Sequence, residues 1–170
     1  MSASDQFPRA TLIKRLAAMI YDALVALAVA VSSGIVITLV LILLLENDIL
    51  SMQGAEHTKD VIQSSVVYQT IIQVWVGFWV LGFFLWFWTH GGQTIGMRAW
   101  RIRLHSCNEK PLTYSRMLLR VLTALGGIGT LFIIFNPRKK RALQDIATQT
   151  EVLQLTKEAN HHRTWKGLNN

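Results

Sequence analysis

Two long apolar runs constrain the fold of this chain more than any other feature. The first extends from Leu16 to Leu45 with a single charged residue, Asp22, and the second extends from Val61 to Trp88 with none. About 20 apolar residues cross a bilayer, so each run is long enough to span a membrane with some tilt. A soluble core helix seldom stays apolar on every side over such a length. We therefore expect an all-α membrane protein with spans at about 18–45 and 61–88.

The composition agrees with this class and raises a question about charge. Charged residues make up 16% of the chain, against about 25% in an average soluble domain. This balance excludes intrinsic disorder and an ordinary soluble enzyme. The formal net charge is nevertheless +7. A basic chain binds either nucleic acid or an anionic membrane, and the positions of its lysines and arginines decide between the two.

The basic residues concentrate in the polar stretches 1–15, 89–116 and 136–170, whereas the loop 46–60 is acidic. The positive-inside rule therefore puts the N-terminus and residues 89–116 in the cytoplasm and the acidic loop outside. A basic run directly follows a third apolar segment; it consists of Arg138, Lys139, Lys140 and Arg141. We interpret this run as an orientation signal and a contact with anionic lipids, with no role in nucleic-acid binding.

The third apolar segment, Met117 to Phe135, is interrupted by Arg120 and by three glycines near its middle. A full crossing would put the basic run outside, against the positive-inside rule. Two half-length helices that enter and return, or a segment lying at the interface, avoid that conflict. We therefore favour a glycine-broken segment that is re-entrant or interfacial, and not a full crossing. With only two crossings, both termini lie in the cytoplasm.

Two short stretches have strand character. Trp100, Ile102 and Leu104 alternate with arginines, which is the period of a strand, and Thr150–Thr156 is the second candidate. They pair into a small cytoplasmic β-hairpin-like sheet only if both lie on one side of the membrane, which requires an even number of crossings. We divide the chain into a membrane domain, residues 1–155, and a polar tail, residues 156–170.

The charges near or inside the apolar runs are the candidate functional residues. Asp22 lies close to two helical turns after Arg15, on the same helix face. It either binds a proton or cation, or forms a structural ion pair with Arg15, Arg116 or Arg120. Arg120 either extends to the headgroups or pairs with Asp22 or Asp145. Asp145 either neutralises the basic run before it or is a solvated charge.

Motifs for other chemistry are missing from the sequence. It contains no nucleophile–base pair, phosphate-binding loop or metalloprotease motif, and His161-His162 lacks a third metal donor at a suitable spacing. We therefore expect no enzyme activity, no cofactor and no metal site. The glycines of Gly91-Gly92-Gln-Thr-Ile-Gly96 indicate a tight exit from the second helix.

Several of these motifs together resemble the RDD family of small bacterial membrane proteins, which is named for one arginine and two aspartates. Arg15, Asp22 and Asp145 match those three residues. The segment Gly92-Gln-Thr-Ile-Gly-Met-Arg98 resembles the family's Gly-Gln-Thr-x-Gly-Lys-Arg motif, and Arg120 resembles its arginine before the third segment. The resemblance implies a multi-pass protein of the bacterial inner membrane with a transport role, which is cation/proton exchange in some members.

This chain departs from the family pattern at two positions. Met97 stands where the family has a lysine, and Gln144 stands where it has a histidine before the second aspartate. Without a titrating histidine beside Asp145, a proton relay through that pair loses support.

Two functional hypotheses follow. In the first, the protein transports ions or small solutes, with Asp22 as the binding carboxylate and Arg15 and Arg120 tuning it. Two spans do not enclose a pathway, so this hypothesis requires a homo-oligomer. In the second, the protein is a non-catalytic scaffold or accessory subunit of a membrane complex, and Arg15, Asp22, Arg120 and Asp145 form a structural charge cluster.

Overall fold

The computed structural model describes residues 6–50, 57–108, 110–135 and 140–161. The chain forms two compact units: one of residues 1–24 and 84–170, the other of residues 25–83. The helices are α1 Leu12–Glu46, α2 Thr58–Ser64, α3 Val66–His90, α4 Ile95–Ala99, α5 Tyr114–Ala124, α6 Ile128–Leu131 and α7 Leu143–Ala147; the strands are β1 Ile102–Ser106 and β2 Thr150–Gln154. The fold is thus mostly helical with one small sheet, as expected.

Helices α1 and α3 are the two long apolar helices that the sequence predicts. Helix α1 has 35 residues and is about 52 Å long, more than the ~30 Å hydrocarbon core of a bilayer. The second long helix begins at Val66, whereas the sequence places the start of that span at about residue 61. Residues 61–64 belong to the separate helix α2, because Ser65 is extended (ψ 114°) and interrupts the helix before α3 begins.

The third segment is broken where its glycines lie, as the sequence predicts. Helix α5 ends at Ala124, and the next residue, Leu125, has a left-handed conformation (φ 48°); Gly126 and Gly127 follow with φ 64° and 105°. Two short helical pieces complete the segment: α6 and a 3₁₀ turn at Phe132–Phe135. Besides α1 and α3, the stretch Tyr114–Ile134 is also long and apolar enough to cross a membrane. By length and composition, the chain is a multi-pass membrane protein.

The sheet joins segments that are distant in the sequence. Strands β1 and β2 pair antiparallel, with Leu104 opposite Val152. The first strand begins at Ile102, after Trp100 of the predicted alternation, because residues 95–99 form α4 and Arg101 has φ 53°. The N-terminal arm pairs with the other edge of β2: the Ala10 amide donates to the Val152 carbonyl, and the Gln154 amide donates to the Pro8 carbonyl, both at 2.8 Å.

Each unit has an apolar core of its own. In the first unit the sheet, the arm and the beginnings of α1 and α5 pack together through Ala10, Ala18, Met97, Ile102, Leu104, Met117 and Val152. In the second unit the end of α1 packs on α2 and the start of α3 through Leu41, Leu45, Val61, Ile62 and Tyr68. The predicted charge residues all belong to the first unit.

Candidate functional site

Asp145 is the centre of a buried ion-pair cluster with Arg15 and Arg120, which we call the arginine–aspartate cluster. Arg15 Nη1 lies 2.5 Å from Asp145 Oδ2, and Arg120 Nη2 lies 2.8 Å from Asp145 Oδ1. The Asp145 side chain is fully buried, and the two arginines are 4% and 6% exposed. The alternatives in which Asp145 is a solvated charge and Arg120 extends to the headgroups are therefore wrong.

Three elements position the cluster. Arg15 lies in the first turn of α1, Arg120 in the middle of α5, and Asp145 in α7. The Asp145 carboxylate also accepts from the Ala142 amide at 3.1 Å, so it caps the start of α7. The arginines are held at their outer ends too, because Arg15 donates to the Lys140 carbonyl and Arg120 to Thr150 Oγ1.

The charges around Asp145 determine its ionisation. Burial alone would raise the pKa of its carboxyl group, since desolvation disfavours the charged form. The positive charges of Arg120 and Arg15, with the hydrogen bonds from Arg15 and Ala142, outweigh burial and lower this pKa below its usual range. Asp145 is therefore ionised at neutral pH, and the three residues carry a net charge of about +1.

Asp22 lies outside this cluster. Its Oδ2 accepts from Thr94 Oγ1 at 2.5 Å, and its Oδ1 accepts from the Gly96 amide at 2.8 Å. No ion pair among the described residues includes Asp22, although its side chain is buried. The predicted pairing of Asp22 with Arg15, Arg116 or Arg120 is wrong, because Asp145 binds two of these arginines and Arg116 binds elsewhere.

The glycine-rich stretch after α3 does more than end a helix. Gly92 has φ 64° and makes the expected exit, but Thr94 and Gly96 then hold the Asp22 carboxylate. A Cβ at Gly96 would collide with the Ala18 carbonyl oxygen and lie 2.9 Å from the Asp22 carboxyl carbon. The sequence signal for binding a carboxylate here is a threonine directly before the start of α4, followed by a glycine in its first turn.

Arg116 binds the sheet end of the first unit. Its guanidinium donates to Ser106 Oγ and to the Thr148 and Gln149 carbonyls at 2.7–2.8 Å. The sequence suggests Arg116 only as a partner for Asp22 and gives no local signal for these contacts. Nor does it predict the ion pair of Arg9 with the buried Glu151, at 2.8 Å.

The predicted membrane-surface residues are described only in part. Arg138 and Lys139 lie outside the described residues. The carbonyl of Lys140 accepts from Arg15, and Arg141 Nη2 donates to Cys107 Sγ at 2.6 Å.

Gln144, at the position of the family histidine, is buried and donates from Nε2 to Thr130 Oγ1 at 2.7 Å. In the described part of the chain, no three His, Cys, Asp or Glu residues are grouped to hold a metal ion.

Comparison with known protein families gives a match to the RDD family over residues 9–149. Because the match covers most of the 170 residues, the chain belongs to the RDD family, as its motifs indicated. No match is found among curated proteins or among solved structures.

The cluster predicts a large stability loss when its carboxylate is removed. Asp145→Asn leaves two buried arginines without a counter-charge and should lower the free energy of unfolding by about 3–5 kcal/mol. The wild-type contribution is present above the unfolded pKa of the aspartate and is lost as pH falls through the lowered folded pKa. Unfolding in detergent across acidic pH measures both effects. Asp60→Asn, at an exposed aspartate, is the control and should change stability little; equal effects would contradict the cluster's role.

The contact between Gly96 and α1 predicts that a single methyl group is harmful. Gly96→Ala should destabilise the protein by about 1–3 kcal/mol, because backbone and carboxylate must both move to make room. Gly82→Ala is the matched control, since a Cβ there meets nothing within 4 Å. Thermal unfolding of both variants in detergent tests this, and equal melting temperatures would mean that the close approach has no energetic weight.

Proposed function

We propose that this member of the RDD family transports protons or small cations across the bacterial inner membrane as a homo-oligomer, with Asp22 as the ion-binding carboxylate. The observation that carries the proposal is the difference between its two buried aspartates. Asp145 is neutralised by two arginines, whereas Asp22 is held by a hydroxyl and an amide, neither of which carries a charge.

The negative charge of a buried carboxylate is not neutralised when its hydrogen-bond partners are uncharged. Desolvation penalises the anion, and two hydrogen bonds compensate for it only in part. Binding a proton or a cation removes the penalty, so the occupancy of Asp22 should respond to ion concentration. The charge of Asp145 is already neutralised by Arg15 and Arg120, and we assign this residue a structural role.

The pairing of the sheet supports a topology with two crossings, in which the transport pathway is enclosed between copies of the chain in the homo-oligomer. The arm at residues 8–10, β1 and β2 are joined by backbone hydrogen bonds, so they lie on one side of any membrane. Residues 11–101 contain the two long helices and make two crossings. Residues 107–149 contain the third segment, and they must cross an even number of times. We propose that this segment does not cross and that both termini are cytoplasmic.

A scaffold or accessory subunit is the second candidate function, and the arginine–aspartate cluster favours it. Two of the three residues for which the family is named, Arg15 and Asp145, join with Arg120 to hold α1, α5 and α7 together, which is a structural task. In this alternative Asp22 likewise only fastens α1 to the segment before β1. The two functions differ in whether a folded protein without the Asp22 charge still works.

Removing the charge of Asp22 separates these functions. In proteoliposomes with an entrapped pH-sensitive dye and an imposed Na⁺ or K⁺ gradient, Asp22→Asn should reduce proton flux to the protein-free rate. Flux per folded protein should be unchanged in the control Asp145→Asn, although less protein folds. Asp22→Glu keeps a carboxylate and should retain flux with a shifted pH dependence.

Wild-type flux from folded Asp22→Asn would refute the transport proposal. A variant that is instead lost from the membrane or from its complexes, with no ion flux in the wild type, would support the scaffold.

The proposed topology has a direct test in a Cys107→Ser background. Asn47→Cys, in the acidic loop, should react with a membrane-impermeant maleimide in right-side-out vesicles. His161→Cys, in the C-terminal tail, should react only after permeabilisation. Reaction of His161→Cys in sealed vesicles would mean that the third segment crosses the membrane.

A further inference from the structure

The third segment has one apolar face that no described part of the chain covers. On this outer face Leu118, Leu122 and Leu125 are spaced at helical intervals and are 41%, 64% and 56% exposed. The face continues beyond the glycine break with Ile128, Leu131 and Ile134, which are 68%, 41% and 60% exposed.

The opposite face of the segment is polar and belongs to the protein. Arg116 binds the carbonyls of Thr148 and Gln149, and Arg120 binds Asp145. Beyond the break, Thr130 accepts from Gln144. The segment thus rests along residues 144–150, on both sides of its break.

This pattern differs from that of α1 and α3. Those helices carry exposed apolar side chains around much of their circumference, as membrane-spanning helices do. Helix α5 is amphipathic, with arginines one turn apart on its inner face. A strongly amphipathic helix of low net hydrophobicity is typical of a helix lying in the plane of the membrane interface.

We propose that the third segment is a lipid-docking surface that lies flat in the cytoplasmic interface. Its outer face is buried among the acyl chains of the cytoplasmic leaflet; it is formed by Leu118, Leu122, Leu125, Ile128, Leu131 and Ile134. The proposal rests on the two-crossing topology proposed above and chooses the interfacial form over the re-entrant form.

The bilayer is the occupant because of where this surface lies in the chain. It belongs to the same compact unit as the beginning of α1 and the end of α3, the two long apolar helices. The exposed Ile13, Ile20 and Leu24 of α1 belong to that unit as well. Lys110, before α5, and Lys140, after the segment, supply positive charge for the phosphates of anionic lipids.

The depth of the outer face in a bilayer tests this proposal. Single cysteines replace Leu118, Leu122, Leu125, Ile128, Leu131 and Ile134 in a Cys107→Ser background. Each variant is spin-labelled and reconstituted in vesicles of phosphatidylethanolamine and phosphatidylglycerol. The relative accessibility to oxygen and to a nickel chelate gives the depth of each label. Ile35→Cys in α1 is the deep reference, and Lys157→Cys, at an exposed residue of the C-terminal tail, is the aqueous reference.

A flat segment puts all six labels at one shallow depth, about 5–10 Å below the headgroups. Labels deepest at 125 and 128 and shallower at both ends would show a re-entrant segment, which overturns this proposal but not the two-crossing topology. Labels whose depth increases steadily along the segment until they reach the other leaflet would overturn both the flat segment and the two-crossing topology. Labels as accessible to nickel as the aqueous reference, or labels with strong spin–spin broadening from a second copy, would mean that lipid does not cover this face.

Discussion

The carboxylate of Asp145, shared between two buried arginines, is the interaction on which the first unit depends. It connects the start of α1 to α5 and α7, and through Thr150 the same network reaches β2. In a protein interior, each of these three charges would be costly alone, and together they leave a net charge of about +1 that the surrounding carbonyls and hydroxyls solvate. The first turns of α1 are thereby held against α5, α7 and β2.

The two aspartates of the family motif have become chemically different through their surroundings. Both are buried, but only Asp145 has cationic partners, whereas Asp22 is held by Thr94 and the Gly96 amide. An acid that is already neutralised serves to fasten elements together. An acid held by neutral dipoles still has a charge to balance, which is why we propose ion binding at Asp22 and a structural role for Asp145.

Hydropathy alone predicted the parts of the fold that depend on composition over many residues. The two long helices follow from it, because a bilayer selects for length and apolarity. The break in the third segment follows instead from its glycines, which adopt positive φ readily. Boundaries such as Ser65 and the start of β1 were less predictable, since single-residue conformations decide them. The partner of Asp22 was predicted wrongly, because helical spacing places Arg15 on the same face but does not give the direction in which its guanidinium extends.

The sequence by itself determined the membrane class, the orientation signal and the family, because each depends on residue types at given spacings in one dimension. Only the tertiary structure decided which charges meet. Asp145 lies 130 residues from Arg15 and 25 from Arg120, and Asp22 lies 72 residues from Thr94. Such contacts arise when the arm, β1 and β2 pair and bring three distant polar segments together. No local pattern encodes that pairing, since it is stabilised by backbone hydrogen bonds and by a core to which every segment contributes only one or a few residues.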